Sequence, residues 1–156
     1  LAEKHGILPE YGVDRHFALQ ARKAEIPIRT LESLREQITI LSSLPTAVQA
    51  AQLMHSLKAY LDTPQQLQLL MDIWESGDTM ALENLLLSSL TSDEMLSPYY
   101  QALYQQRNQN WARQLANLDS SANATNIFVV VGAGHLVGGE SLLYYLQQQG
   151  FSLQRR

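Results

Sequence analysis

The sequence contains no cysteine, so disulfides, thiolate metal sites and cysteine nucleophiles are all excluded, although this absence does not identify a compartment. No apolar run approaches the roughly 18 residues that a membrane span needs, and the first residues show no targeting pattern. Basic charge is also scarce. With a net charge of -4 and no basic run along a predicted helix, the chain gives no electrostatic reason to expect nucleic-acid binding.

The composition that is present is typical of a globular protein. The chain has 156 residues, of which 46% are hydrophobic and 17% are charged. This length suffices for one domain with a hydrophobic core, and we predict a single domain over residues 1–156. Because the chain begins at Leu1 without a targeting pattern, we expect it to be a piece of a longer protein, with any export signal upstream.

Helix and strand signals predict an α/β fold, or more exactly a helix-rich α+β fold with few short strands. β-Branched runs predict strands over residues 26–31 and 127–131, and a last strand over residues 151–155. Ser33 and Glu36 predict a capping box that opens one helix, and Asp78 is the predicted cap of another. Capping signals also predict a helical middle region, which includes one long helix from Ser97 to about Leu118. The chain closes with a strand, a Gly-x-Gly-His turn, a helix and a strand.

The turn in that closing unit, residues 132–135, reads Gly-Ala-Gly-His and is called the corner here. A Gly-x-Gly after a strand is typical of dinucleotide-binding folds, but the later glycine and acidic residue of that motif are missing. Gly132 and Gly134 can instead leave room beside His135 for a substrate or a metal. Alternatively, His135 is only hydrogen-bonded within the turn. The residues alone leave both interpretations open.

Glu32 also follows a predicted strand directly. If the strands at residues 26–31 and 127–131 are parallel neighbours, Glu32 and His135 emerge at the same edge of the sheet. A carboxylate and an imidazole in that position can bind a divalent metal or act as an acid–base pair. The alternative is that Glu32 is an ordinary carboxylate near the start of a helix, stabilised by the helix dipole.

Two polar residues interrupt the packing pattern of the long helix. Arg107 and Asn108 lie among residues that predict burial, such as Tyr104 and Trp111. Arg107 is either a surface arginine with a buried stem or a guanidinium aimed at a functional group. The remaining polar candidates carry no motif: we predict structural or exposed roles for His5, His16 and His55, and no serine-hydrolase role for Ser141.

Three segments of the chain have the pattern of a known family. The first contains Gly12, Asp14, Leu31-Glu32 and Gln37; the second is "RNQNWARQL"; the third is "FVVVGAGHLVGGESLLYYLQQQGFSL". These segments resemble the TraB/GumN family, which includes the Tiki metalloproteases. The third segment is the most specific, and the three segments occur in the family's order. Together they cover nearly the whole chain.

The resemblance implies a metal-dependent hydrolase, in particular a metallopeptidase. It assigns His135 and Glu32 to a divalent metal (manganese, cobalt or zinc), Glu32, Arg107 and Asn108 to catalysis, and Gly132 and Gly134 to the loop that shapes the site. The family pattern has two Gly-x-x-His motifs, whereas this sequence contains only the one that ends at His135. We therefore expect the chain to be the carboxyl-terminal part of a larger TraB/GumN-like domain, with one metal ligand upstream.

The resemblance also implies a periplasmic or envelope location and a peptide or small-molecule substrate. The alternative function is a non-catalytic envelope protein that binds haem or a peptide, or that has an accessory role related to surface polysaccharide or conjugation. Strand edges left open by missing neighbours would favour a homo-oligomer.

Overall fold

The computed structural model describes residues 8–61, 63–121 and 126–155 of the chain. It divides into two compact units, Leu1–Glu32 and Ser33–Arg156, and each is described by itself. The prediction of one domain over the whole chain stays a prediction.

From residue 8 onward, where the structure describes it, the first unit contains one α-helix. A 3-10 turn at Pro9–Tyr11 leads into α1, Val13–Lys23, whose N-cap is Gly12. No side chain caps this helix, and Asp14 lies within its first turn, where its charge is favourable to the helix dipole. Residues 26–30 then have no regular secondary structure, and a bend at residues 31–32 ends the unit.

The second unit is built from helices. In chain order they are α2 (Leu34–Ser42), α3 (Thr46–Leu61), α4 (Thr63–Ser76), α5 (Thr79–Ser92), α6 (Ser97–Tyr100), a π turn (Gln101–Gln105), α7 (Gln106–Ser121), a 3-10 turn (Ala133–His135) and α8 (Leu142–Gln148). Because α6, the π turn and α7 follow one another without a break, they form the long helix that the sequence predicts.

Local capping signals explain where two of these helices begin. Ser33 and Glu36 form a complete capping box at the start of α2: the Glu36 carboxylate accepts the Ser33 backbone N–H at 2.6 Å, and Ser33 Oγ accepts the Glu36 N–H at 3.2 Å. Asp78 caps α5 by accepting the backbone N–H groups of Met80 and Ala81, both at 3.0 Å. Both features confirm what the sequence predicts.

The predicted strands are wrong. Within the described residues no segment forms a β-ladder, and residues 26–30, 126–132 and 151–155 have no regular secondary structure. The fold is therefore helical, and the α/β assignment is corrected. β-Branched residues favour extended backbone, but a strand also needs a neighbour to pair with its backbone N–H and C=O groups. A β-branched run therefore does not form a strand by its own propensity alone.

The core of the second unit lies where α5 and the long helix meet the segment that follows the corner. Its buried members are Leu82, Leu87, Leu90, Leu96, Tyr100 and Val137. The polypeptide immediately after the corner therefore packs into the same core as the helices. None of the helices in the described residues is both long and apolar enough to span a membrane.

Candidate functional site

The π turn lies directly before the two polar residues of the long helix. Its characteristic hydrogen bond runs from the Gln106 N–H to the Gln101 carbonyl, so the turn contains one residue more than a normal α-helical turn. Arg107 and Asn108 follow at once, with only 7% and 1% of their surfaces exposed. Arg107 is therefore no surface arginine, and a buried pair of this kind requires defined partners.

The corner supplies one of these partners, His135, which is 8% exposed. Its backbone N–H donates to the Gly132 carbonyl at 2.9 Å, which closes the 3-10 turn. The imidazole lies against two aromatic rings of the long helix, with centroids 5.0 Å from Tyr104 and 4.6 Å from Trp111. The long helix thus encloses the histidine side chain.

The two glycines of the corner differ in their roles. A Cβ on Gly134 would come within 3.0 Å of the Tyr104 ring, so glycine is what lets the corner pack against that tyrosine. A Cβ on Gly132 would lie 3.8 Å from the His135 ring, which is an ordinary contact. Gly132 has a φ of -60°, whereas the left-handed residue of this region is Gly138, with a φ of +88°.

His135 and Asn108 form a short hydrogen bond. The distance from His135 Nδ1 to Asn108 Oδ1 is 2.7 Å, and Asn108 Nδ2 donates to the Glu140 carbonyl at 2.8 Å. Because a carbonyl can only accept, the amide must turn its Nδ2 toward Glu140 and its Oδ1 toward the imidazole. Nδ1 therefore carries the proton, and in neutral His135 the lone pair lies on Nε2.

Arg107 faces that second nitrogen. Its Nη1 donates to the Leu103 carbonyl at 2.9 Å and lies 3.5 Å from His135 Nε2, while Cζ lies 4.8 Å from the centre of the Trp111 ring. A guanidinium has donors only, so a proton on Nε2 would point at another donor. Arg107 and Asn108 consequently favour the same tautomer of His135.

These side chains border an open pocket with a volume of about 320 Å³. It is lined by Gln37, Leu103, Tyr104, Arg107, Trp111, Gly132, Gly134 and His135. Burial, with a smaller contribution from Tyr99, raises the pKa of Tyr104, and the positive charge of Arg107 offsets part of this rise. The pocket therefore combines aromatic walls, a neutral phenol, a guanidinium and an imidazole.

A divalent metal is compatible with His135 as one ligand. Histidine ligands commonly donate one ring N–H to an oxygen acceptor and bind the ion through the other nitrogen, which is the arrangement that Asn108 imposes. Arg107 Nη1 would have to turn away from Nε2 for an ion to bind there. Among the described residues, no three histidine, aspartate or glutamate side chains are grouped so that they could hold a metal ion.

The other predicted site residue, Glu32, lies at the carboxyl end of the first unit, at the bend of residues 31–32, and is half-buried. Arg107, Asn108, His135, Gly132 and Gly134 all belong to the second unit, where they lie together.

Among the remaining polar candidates, His55 and Ser141 have hydrogen-bond partners, and His16 is exposed. His55 Nε2 lies 3.0 Å from Ser89 Oγ, and His16 is exposed on α1 beside Phe17. Ser141 Oγ accepts the Tyr144 N–H at 3.2 Å and caps α8, which accounts for its burial. His5 lies outside the described residues.

Sequence reasoning missed Gln105 and Glu140. The Gln105 side-chain amide donates to the Glu140 carboxylate, and the Glu140 carbonyl accepts from Asn108. No sequence motif marks either residue. The spacing of Gln105 and Asn108, three apart on a predicted helix, was the available signal that one partner could contact both.

Comparison with known proteins yields a family match. The model of the TraB/PrgY/gumN family matches residues 1–155. Searches of curated proteins and of solved structures found no match. The family match covers essentially the whole sequence, including Arg107, Asn108 and the corner, and so the chain belongs to the TraB/PrgY/gumN family.

Proposed function

We propose that this chain forms part of a metal-dependent hydrolase that acts on peptides, and that His135 supplies one of its metal ligands. The observation that carries the proposal is the 2.7 Å hydrogen bond between His135 Nδ1 and Asn108 Oδ1, since it presents the Nε2 lone pair of a neutral imidazole beside an open pocket. When bound, the divalent ion would lower the pKa of a water molecule and polarise the scissile carbonyl.

The chain's own residues have distinct tasks in this proposal. His135 Nε2 holds the ion, and Asn108 holds the imidazole in position. Because Asn108 is 1% exposed and has both ends of its amide engaged, it acts on His135 and not on the substrate. Arg107 borders the pocket, where its guanidinium orients the substrate carbonyl or stabilises developing negative charge.

Tyr104 and Trp111 form the apolar walls of the pocket. Their rings exclude water from one side of His135 and offer surface to the apolar part of a substrate. Glu32 enters the proposal through the family resemblance, as a second metal ligand or as the general base. The same resemblance is the reason to propose a periplasmic or envelope location.

The experiment measures bound metal and peptide cleavage in the full-length protein, for wild type and for His135→Ala, Asn108→Ala and Glu32→Gln. We expect His135→Ala to lose metal and at least about a hundredfold in kcat/KM. His16→Ala is the matched control, because His16 is exposed on α1 and should leave both quantities unchanged. A wild-type protein that holds no divalent ion, with cleavage unaffected by His135→Ala, would overturn the proposal.

The second candidate is a non-catalytic protein that binds a haem or peptide ligand. The observation that favours it is Arg107 Nη1, which lies 3.5 Å from the nitrogen that a metal would need. The complete coding sequence separates the two candidates: a second Gly-x-x-His in it favours the hydrolase, and the absence of a second one favours the binding protein.

A further inference from the structure

Glu140 makes contacts that the proposed function does not use. It lies between the corner and α8, and it interacts with the long helix through two different groups. Its backbone carbonyl accepts from Asn108 Nδ2 at 2.8 Å, and its carboxylate accepts from the Gln105 side chain. Gln105 and Asn108 are three residues apart and so share one face of the helix. Glu140 therefore accepts hydrogen bonds from both of these side chains.

The π turn ends at one of these two side chains. Gln105 is its last residue, and the extra residue in the turn changes the direction of the side chains that follow relative to a regular α-helix. The contact between Gln105 and Glu140 ties the end of the π turn to the segment after the corner.

Tyr100 also interacts with the Glu140 carboxylate. Burial, followed by the negative charge of Glu140, raises the pKa of Tyr100 to about 12, and a hydrogen bond to Glu140 contributes to this rise. The Tyr100 hydroxyl therefore keeps its proton at neutral pH and donates a hydrogen bond to the carboxylate. The carboxylate consequently has donors from two turns of the long helix, Tyr100 and Gln105.

We infer that Glu140 is a positioning residue that sets the tautomer of His135. Held by Tyr100 and Gln105, it places its carbonyl where only the Nδ2 end of Asn108 can meet it. Asn108 then presents Oδ1 to His135 Nδ1, and the lone pair stays on Nε2. Only the catalytic consequence of this arrangement rests on the proposed function; the tautomer itself requires neither metal nor substrate.

The test is a long-range ¹H–¹⁵N correlation spectrum of the histidine-labelled chain, which reports which ring nitrogen carries the proton. The chain has four histidines, and the spectrum of His135→Gln identifies the signals of His135. The variants are Gln105→Ala, Glu140→Ala and Glu140→Gln. The matched control is Gln106→Ala, which removes an exposed side chain next to Gln105.

We expect wild type and Gln106→Ala to show the Nδ1–H tautomer. In Gln105→Ala and Glu140→Ala the ratio of tautomers should move toward Nε2–H by about fivefold, the factor that corresponds to one hydrogen bond of ordinary strength. Glu140→Gln keeps an oxygen for the Gln105 amide and should recover most of the wild-type ratio. If Glu140→Ala fails to fold, Gln105→Ala and Glu140→Gln decide the question.

The inference would be overturned if folded Gln105→Ala showed the wild-type ratio of tautomers and Glu140→Ala either showed that ratio too or failed to fold. The orientation of Asn108 would then be set by other residues. The result is independent of the proposed function. A shifted ratio in a protein without metal or cleavage refutes the hydrolase alone. Metal-dependent cleavage with an unchanged ratio refutes the role of Glu140 alone.

Discussion

The two ends of the segment at residues 126–135 differ in exposure: His135 is 8% exposed, whereas Phe128 is 72% exposed. The polar end of this segment is enclosed by Tyr104 and Trp111, while its apolar part, residues 127–130, lies largely at the surface. This is the reverse of the usual distribution of polar and apolar residues. The long helix, and not a sheet, therefore forms the surroundings of His135.

The largest expected effect concerns the packing that follows the corner. Leu142 is 2% exposed and Leu143 is 38% exposed, although they are neighbours on α8. Leu142→Ala should lower the free energy of unfolding by about 3 kcal/mol because it leaves a cavity, whereas Leu143→Ala should cost less than about 1 kcal/mol. Urea unfolding followed by circular dichroism measures both. Equal losses of unfolding free energy in the two variants would show that Leu142 is not buried as described.

The next effect concerns the buried polar contacts themselves. Asn108→Ala leaves the Nδ1–H of His135 and the Glu140 carbonyl without their partner, and should lower the free energy of unfolding by about 2 kcal/mol. Asn110→Ala is the matched control, because Asn110 is exposed on the same helix and should change stability by less than about 0.5 kcal/mol. The same urea experiment applies. An Asn108→Ala variant as stable as Asn110→Ala would contradict the hydrogen bonding at this site.

A third effect depends on pH. Burial raises the pKa of Tyr100 to about 12, above its value of about 10 in the unfolded chain. The contribution of protonated Tyr100 to the free energy of unfolding is therefore fully present below pH 10 and is lost as the pH rises through 12. Its size is on the order of 2 kcal/mol. Thermal unfolding between pH 8 and pH 12 should show this loss in wild type.

Tyr100→Phe removes the ionisable hydroxyl and should weaken the alkaline loss of stability without abolishing it, because burial also raises the pKa values of Tyr99, Tyr104 and Tyr145. Tyr144→Phe, at an exposed position, serves as control and should follow the wild-type profile. If Tyr100→Phe also follows the wild-type profile, the hydroxyl of Tyr100 does not contribute as described.

The smallest effect on folding, but a visible one on association, concerns the exposed apolar part of the segment. Exposed apolar surface favours self-association, so we expect this chain to form oligomers as its concentration rises. Phe128→Glu should weaken the association constant about tenfold, as burial of one aromatic side chain would predict. Sedimentation equilibrium measures this, with Gln147→Glu at an exposed position of α8 as the charge-matched control. Equal association of both variants would exclude Phe128 from the contact.

Local signals made part of the fold predictable from sequence. The box of Ser33 and Glu36 and the cap at Asp78 depend on residues within one turn, and both are confirmed. Whether the β-branched runs form strands was not predictable in this way. A β-branched run indicates that the backbone is suited to a strand, but pairing requires a distant segment, and the sequence of the run does not reveal whether one is present.

The site was predictable to the extent that it follows the family motif. His135 was a candidate because of the glycine-flanked corner, and Arg107 and Asn108 because they interrupt the packing pattern of the long helix. The resemblance to the TraB/GumN family supported all three, and they lie together in the second unit. Gln105 and Glu140 depend on a π turn and on a tertiary contact between residues far apart in sequence. Helix periodicity does not indicate where a π turn occurs, so their contact could not be predicted.

The most direct test of this site is the protonation of His135 in the wild-type chain. A long-range ¹H–¹⁵N correlation spectrum at neutral pH should show a proton on Nδ1 and a bare Nε2, because Asn108 Oδ1 accepts from the first nitrogen and Arg107 faces the second. A proton on Nε2 with a bare Nδ1 would contradict the assigned hydrogen bonds. It would also remove the basis for His135 as a metal ligand through Nε2.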